Sequence, residues 1–250
     1  MVQENIKEGY ALKVRVKFAK EGAMKFIGHL DIMRYFQKAV KRANLDVAFS
    51  EGFSPHMIMS FASPLGVGIT STGEYFDMEL KSATTSSDMV KRLNDAMAEG
   101  MKILSVRQVE DGKASKAMSL VAAADYRLKF RETAKLPENW KEKLEEFKAQ
   151  KEIVILKKTK KSEKELDIRP FIYKLSLEEN DENDEIFMQL AAGSSNNTKP
   201  ELVMEAFAAF TEIPYENLKF MIHRCELYAD TGSDEARNLV SLEDLGEEIE

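Results

Sequence analysis

The spacing of apolar residues switches repeatedly between two positions and three to four positions along this chain. Residues 12–18 (LKVRVKF) alternate apolar and charged side chains, which is the period of a half-buried strand. The next segment has helical spacing through Leu30, Met33, Phe36 and Val40. The later segments of this half predict two strands, a helix and a last strand, at residues 57–62, 74–80, 86–100 and 101–110. This β-α-β-β-α-β order is typical of ferredoxin-like folds.

The second half repeats the same order without visible sequence identity. Its predicted elements are, in order, strand, helix, strand, strand, helix and strand. They lie at residues 123–132, 137–150, 152–158, 184–193, 199–210 and 217–228. The sequence therefore predicts an α+β fold with two tandem ferredoxin-like (βαββαβ) domains. We place these at residues 1–113 and 114–228, joined near the linker-like DGKASKAMS at 111–119.

The net charge of −7 is concentrated in the last 22 residues, which hold eight acidic residues and one arginine. The rest of the chain is therefore neutral, with 35 basic and 35 acidic residues. An acidic tail at 229–250 has two interpretations: a disordered solubilising end, which we expect, or a mimic that covers a basic groove.

Composition excludes several classes of site. The single cysteine, Cys225, rules out an internal disulfide, and no cysteine cluster is present for zinc or an iron–sulfur centre. No apolar run reaches membrane-spanning length, and the first residues lack a secretory apolar core. We therefore expect a cytoplasmic protein without cofactor, metal or membrane association. His223 and Cys225 share one side of a strand, but a third metal ligand is missing.

Basic residues recur on one face of the first helix, at Arg34, Lys38, Lys41 and Arg42. They form either an ordinary solvated face or a surface that contacts phosphates. A second basic run contains Lys157, Lys158, Lys160 and Lys161. It indicates either a solvated loop or a second surface that contacts phosphates.

Polar residues that could carry chemistry lie around the first helix and the loop at 52–74. His29 is a structural hydrogen-bonding group or a functional one, and His56 follows a Gly-Pro turn that aims it outward. With Asp31 and Glu74 they form a candidate pocket. The glycines at 66, 68 and 73 lack the spacing of nucleotide-binding loops. Asp167 and Arg169 join the candidate pocket, or pair with each other structurally.

The run FIGHLDIMRYFQKAVKRANLDVAFSEGFSPHMIMSFASPLGVGITSTGEYFDMEL, with AADYRL, ELDIRPFI and HRCELY, resembles the radical-SAM-linked protein family. The matching positions are His29, Leu30, Asp31, Arg34, Ala43, Gly52, Phe53, Pro55, Pro64, Leu65, Gly66, Glu74, Asp167 and Arg169. The resemblance implies partnership with a radical-SAM protein, in a setting that involves RNA. Because the CxxxCxxC motif is absent, this chain would be the stand-alone accessory.

Three hypotheses follow from these observations. The first, which we favour, is a non-catalytic accessory module that binds RNA through the basic helix face. The second is an enzyme of unknown reaction that uses His29, Asp31, His56 and Glu74. The third is an adaptor that docks on a radical-SAM enzyme through an exposed apolar patch.

Overall fold

A computed structural model describes residues 11–110, 112, 116–158, 163–179, 184–194, 196–233 and 236–250. It is an α+β fold, which confirms the predicted class. The chain divides into two compact units: Met1–Ala122 together with Glu226–Glu250, and Ala123–Cys225. The predicted domain boundary at 113/114 lies near the first division, and the second unit ends three residues before the predicted end at 228.

The first unit begins with the predicted order of elements. These are β1 (Leu12–Lys20), α1 (His29–Arg42), β2 (Met59–Phe61), β3 (Thr70–Leu80), α2 (Ser86–Asp95), β4 (Met101–Gln108) and the short α3 (Ala117–Leu120), with a 3-10 turn at Gly22–Phe26. Strand β1 lies between β4 and β3, and β2 pairs with the other edge of β3. Each of these pairings is antiparallel.

One face of this sheet forms the apolar core of the first unit. Val14, Val16 and Phe18 alternate along β1 and are buried in this core with the apolar face of α1. The rings of Phe18 and Phe36 are 4.6 Å apart in an edge-to-face arrangement. Helix α2 begins where the Thr85 hydroxyl accepts a hydrogen bond from the Asp88 backbone N–H at 3.2 Å.

The second unit repeats the strand–helix order with one insertion. Its elements are β5 (Val121–Phe130), α4 (Trp140–Lys148), β6 (Val154–Lys158), β7 (Glu163–Asp167), β8 (Ile172–Glu178), β9 (Glu185–Ala191), α5 (Pro200–Phe210) and β10 (Phe220–Asp230), with 3-10 turns at Arg169–Phe171 and Tyr215–Asn217. The strand order is β10-β5-β9-β8. Strand β10 starts in the second unit and ends in the first.

The predicted strand at 152–158 does not join this sheet. It corresponds to β6, which pairs with β7 in a separate two-stranded sheet. Strand β8 takes the place beside β9, because Ile172 and Leu175 lie opposite the buried Leu190 and Met188. Strand β8 is not among the elements that the sequence predicts.

The expectation of a disordered tail at 229–250 is corrected by the structure. Strand β11 (Leu239–Ser241) pairs with the end of β10, and Leu242 is fully buried in the first unit. Apolar residues are interspersed with the acids here, and their burial fixes the segment. Residues 234 and 235 lie outside the described residues.

Candidate functional site

The basic residues of α1 form an exposed face, as their spacing predicts. Arg34, Lys38, Lys41 and Arg42, which we call the helix row, are all exposed, and the opposite face of the helix is buried in the core. Arg34 donates a hydrogen bond to Asp31 at 3.2 Å, with both side chains about 70% exposed, and Arg42 donates to the Ala96 carbonyl at 2.9 Å. The helix row therefore presents positive charge to solvent.

His29 and Glu74 lie close enough to interact electrostatically. His29 is the first residue of α1, and its ring packs edge-on against Phe61 with 5.4 Å between ring centroids. Glu74 is buried on β3, and the buried Lys20 ammonium donates to the Ile27 carbonyl at 2.8 Å. Burial lowers the pKa of His29; Glu74 opposes this shift and Lys20 adds to it.

The other two residues of the candidate acid–base set lie elsewhere. Asp31 is exposed and paired with Arg34. His56 lines a separate cavity of about 310 Å³, whose lining includes Lys13, Ser50, Asp77 and Lys116 but neither His29 nor Glu74. The described structure therefore brings two of the four residues together and leaves His56 and Asp31 apart from them.

A second basic row lies on β1 and was not predicted as a functional feature. Lys13, Arg15 and Lys17, the strand row, alternate with the core residues of β1 and therefore share the other face of the strand. Sequence alternation predicted a half-buried strand with a solvated charged face. Instead Lys13 and Arg15 are buried and Lys17 is nearly so.

Each cation of the strand row has an acidic partner. Arg15 donates from Nε to Asp77 Oδ1 at 2.8 Å and from Nη2 to Asp77 Oδ2 at 3.3 Å, and Lys13 lies 4.0 Å from the same carboxylate. Lys17 donates to Glu226 at 2.7 Å and to Glu243 at 2.8 Å. This is a buried network of ion pairs.

The acidic C-terminal segment supplies part of this network. Arg15 Nη1 donates to the Leu242 carbonyl at 3.0 Å, and Glu243 accepts from Lys17. Burial by itself raises the pKa of Glu243, but hydrogen bonds from Lys17 and Ser105 outweigh burial and hold that pKa below its ordinary value. Residues 242–243 therefore fit the second interpretation of the acidic segment, in which it covers a basic surface.

Tyr75 extends the network on β3. Its hydroxyl donates to Glu226 Oε1 at 2.5 Å, and the Lys17 ammonium lies 5.7 Å from the centre of its ring. Burial and the Glu226 carboxylate raise the pKa of Tyr75 far above its ordinary value. The phenol therefore acts as a hydrogen-bond donor at neutral pH.

In the second unit, Asp167 and Arg169 have structural roles. The Asp167 carboxylate accepts from the backbone N–H of Ile153 at 2.8 Å and of Arg169 at 2.9 Å. The Arg169 guanidinium donates to the carbonyls of Gln150 and Ile172 at 3.1 and 3.0 Å. These bonds fix the turn between β7 and β8, which accounts for both residues without a ligand.

The basic run near residue 160 is described in part. Lys157 and Lys158 belong to β6, and Lys160 and Lys161 lie outside the described residues. Their predicted contact with RNA stays a prediction.

A family model for uncharacterized proteins conserved in bacteria (DUF2344) matches residues 13–200. The chain belongs to this family. The resemblance found in the sequence is thus shown at the level of the DUF2344 family, and the link to a radical-SAM protein stays a prediction. A search among curated proteins found no match.

Two solved structures are similar to this DUF2344 protein at 12% sequence identity. One is a chain of a Cbf5-Nop10-Gar1 complex, with a TM-score of 0.44 over 86% of this chain and 48% of that chain. The other is an unknown protein from Galdieria sulphuraria, with a TM-score of 0.24 over 86% and 98% of the two chains. This chain therefore spans about half the length of the Cbf5-Nop10-Gar1 chain, and similarities this weak carry no argument about function.

The residues that the structure describes offer neither a metal cluster nor a membrane-spanning helix. No three His, Cys, Asp or Glu side chains there lie together as metal ligands would. Burial raises the pKa of Cys225 to about 11, so its thiol is protonated at neutral pH. No helix in the same part of the chain is long and apolar enough to span a membrane.

Proposed function

We propose that this chain is a non-catalytic, cytoplasmic accessory module that binds RNA through the helix row and works with a radical-SAM protein. The observation that carries the RNA part is the exposure of all four basic side chains on α1, while the opposite side of the helix is fixed in the core. Phosphate contacts need side chains that reach solvent from a rigid support. The helix row meets both conditions.

The charge distribution supports the same proposal. Three of the eight Lys and Arg residues on β1 and α1 are paired with carboxylates in the strand row, so the field outside the first unit comes from exposed groups such as Lys38 and Lys41. The acidic residues that dominate the net charge include Glu243, which is engaged by Lys17 and Arg107. Net charge alone therefore does not argue against RNA binding at α1.

A salt titration of RNA binding tests this function. We would measure fluorescence anisotropy of a labelled single-stranded RNA 12-mer with the unsubstituted protein and with the double variant Lys38→Ala/Lys41→Ala. Removing two phosphate contacts should weaken binding and lower the slope of log K against log salt by about 1.4. The variant Lys91→Ala/Lys148→Ala is the control, because it removes the same charge from lysines on α2 and α4 whose side chains are 73% and 42% exposed.

Two outcomes would reject the proposal. One is the absence of RNA binding by the unsubstituted protein at low salt. The other is an equal loss of affinity in the control variant, which would indicate net charge rather than the helix row as the cause.

A protein-docking role is a second candidate, favoured by a different surface. Phe26, Leu30 and Val67 are large apolar residues that are 63 to 67% exposed. Leu30 is four residues after Phe26 in sequence, and the Gly68 N–H donates to the Lys25 carbonyl at 2.8 Å, which places residue 67 next to the 3-10 turn that holds Phe26. An exposed apolar group of this kind suits a partner protein, which we propose is the radical-SAM protein.

Co-purification with radical-SAM proteins encoded in the same genome tests this second role. Leu30→Glu should abolish recovery of the partner, whereas Met118→Glu, at an exposed apolar residue on α3, should leave it intact. Equal recovery with both variants would contradict docking through this surface.

The strand orders also support the finer fold assignment. The strand order is β4-β1-β3-β2 in the first unit and β10-β5-β9-β8 in the second. Each is the order of a split βαβ unit, and β6 and β7 are an insertion in the second unit. We therefore propose two tandem ferredoxin-like domains, the first completed by the C-terminal segment.

A further inference from the structure

The loop Ser50–His56 is closed at its base by three hydrogen bonds. The Ser50 N–H donates to the His56 carbonyl at 2.8 Å, the His56 N–H donates to Ser50 Oγ at 3.1 Å, and Ser50 Oγ shares a hydrogen bond with His56 Nδ1 at 2.8 Å. Just outside these residues, Phe49 and Met57 form a β-bridge. Gly52 has φ of +103°, a conformation that side chains disfavour. The loop is therefore a defined turn.

Phe53 lies at the tip of this loop with its whole side chain in solvent. Its exposure is 112% of the reference value, the highest among the large apolar residues that the structure describes. Phe26, by comparison, is 65% exposed and has the Lys25 ammonium 5.2 Å from its ring centre. A closed loop that holds a phenyl ring away from the core leaves both ring faces open to a ligand.

The foot of the loop lines the cavity of about 310 Å³ described above. Lys116, which is exposed, contributes to that cavity together with Ser50 and His56. Lys13 contributes too, but Asp77 pairs with it. Among the described residues that line this cavity, the positive charge left to a ligand is therefore that of Lys116.

We propose that Phe53 stacks on an unpaired base of single-stranded RNA, with Lys116 contacting a neighbouring phosphate. This inference rests on the proposed RNA-binding function and adds a base-contacting site to the phosphate-contacting helix row. Aromatic side chains bind single strands by stacking because every base offers a flat π-face. Glu51, exposed in the same loop, disfavours a phosphate next to the ring itself, so the base is assigned to Phe53.

The surroundings of Phe53 favour a base over a partner protein. The other loop residues from Glu51 to His56 are exposed and are polar or small, apart from Pro55. An aromatic anchor in a protein interface is normally surrounded by further contacts that exclude water. The single exposed ring of Phe53, which has polar neighbours, instead offers a contact area that fits one base.

The test compares two ligands and three proteins. The ligands are a labelled uridine 12-mer and a 12-mer of abasic ribose phosphates, which keeps the phosphates and removes the bases. The proteins are the unsubstituted chain, Phe53→Ala and the control Phe26→Ala. We expect Phe53→Ala to weaken binding of the uridine 12-mer about tenfold and to leave the abasic 12-mer unchanged, whereas Phe26→Ala changes neither.

A tryptophan at the same position reports stacking directly. Phe53→Trp should lose fluorescence on adding the uridine 12-mer and not on adding the abasic 12-mer, with the Trp140 signal of the unsubstituted protein as the blank. Because residue 53 is fully exposed, neither variant removes a buried contact, and a thermal melt checks that both are folded.

The outcomes separate this inference from the function on which it rests. If the unsubstituted protein binds neither 12-mer at low salt, both fail. If it binds both and Lys38→Ala/Lys41→Ala weakens that binding, while Phe53→Ala does not and Phe53→Trp is not quenched, stacking is overturned and RNA binding stands. Loss of radical-SAM protein recovery in Phe53→Ala, with RNA affinity unchanged, would also overturn it and make the loop a protein contact.

Discussion

The two basic rows of the first unit have similar composition and opposite surroundings. The strand row, Lys13, Arg15 and Lys17, is enclosed and matched by Asp77, Glu226 and Glu243. The helix row begins at Arg34 and is exposed along its length. The difference shows that the role of a row of cations depends on whether other residues cover it. The covered strand row stabilises the unit, whereas the exposed helix row is available to a ligand.

Removing Arg15 should have the largest effect of any change in either row. Arg15→Met leaves the Asp77 carboxylate buried without its main partner, and breaking a buried pair in this way costs about 3 to 5 kcal/mol. The free energy of unfolding in urea measures the loss. Lys38→Met is the matched change in the helix row and should cost less than about 0.5 kcal/mol. Similar losses for the two variants would erase the contrast between the rows.

Glu243→Gln should have a smaller effect that depends on pH. The pKa of Glu243 is below its ordinary 4.5 in the folded chain, so the unfolded chain binds the proton more tightly. Its stabilisation is therefore present above pH 4.5 and is lost as pH falls through the folded value. We expect Glu243→Gln to cost about 1.5 kcal/mol at pH 7.

Unfolding experiments on both proteins from pH 7 to pH 3 give the check. The difference between the unsubstituted protein and Glu243→Gln should shrink below pH 4.5, because protonation of Glu243 removes its charge interaction with Lys17. A difference that stays constant to pH 3 would show that the Glu243 charge does not stabilise the strand row.

Arg34→Ala should have the smallest effect on stability and a clear effect on binding. The Arg34–Asp31 pair is largely exposed, and such pairs contribute about 0.3 to 0.5 kcal/mol. RNA affinity should fall about tenfold, because a hydrogen bond to a charged group contributes about 1.5 to 3 kcal/mol. A calorimetric melt and an anisotropy titration on the same preparation decide between the two roles. A large loss of stability with no change in affinity would move Arg34 into a structural role.

The elements of the first unit from β1 to β4 were predictable because each one carries its own periodicity. Strand β1 alternates, α1 repeats at three and four residues, and both lie where the sequence predicted them. Strand β8 was not predicted, since it follows Pro170 and a lysine-rich segment that indicate a loop. Its place in the sheet depends on pairing with β9, a tertiary interaction that local spacing does not report.

The candidate site was predictable where exposure follows from helical spacing, and not elsewhere. The exposure of Lys38 and Lys41 follows from their positions opposite Phe36 and Val40. The burial of Arg15 does not follow from β1, because its cover comes from Leu242, 227 residues later in the chain. An alternating strand predicts that one face is charged, and it does not say whether water or another segment meets that face.

The divided first unit constrains how this chain matures on a ribosome. Arg15 and Lys17 are translated early, whereas Leu242 and Glu243 are translated only after the whole of Ala123–Cys225. During that interval the sheet lacks β10, β11 and its closing carboxylates. The first unit therefore stays incomplete until Glu226–Glu250 has been translated, whereas the sequence of the second unit is complete once Cys225 has been added. Loss of residues 239–250 would accordingly destabilise the unit that contains β1, because Arg15 and Lys17 would lose their contacts with Leu242 and Glu243.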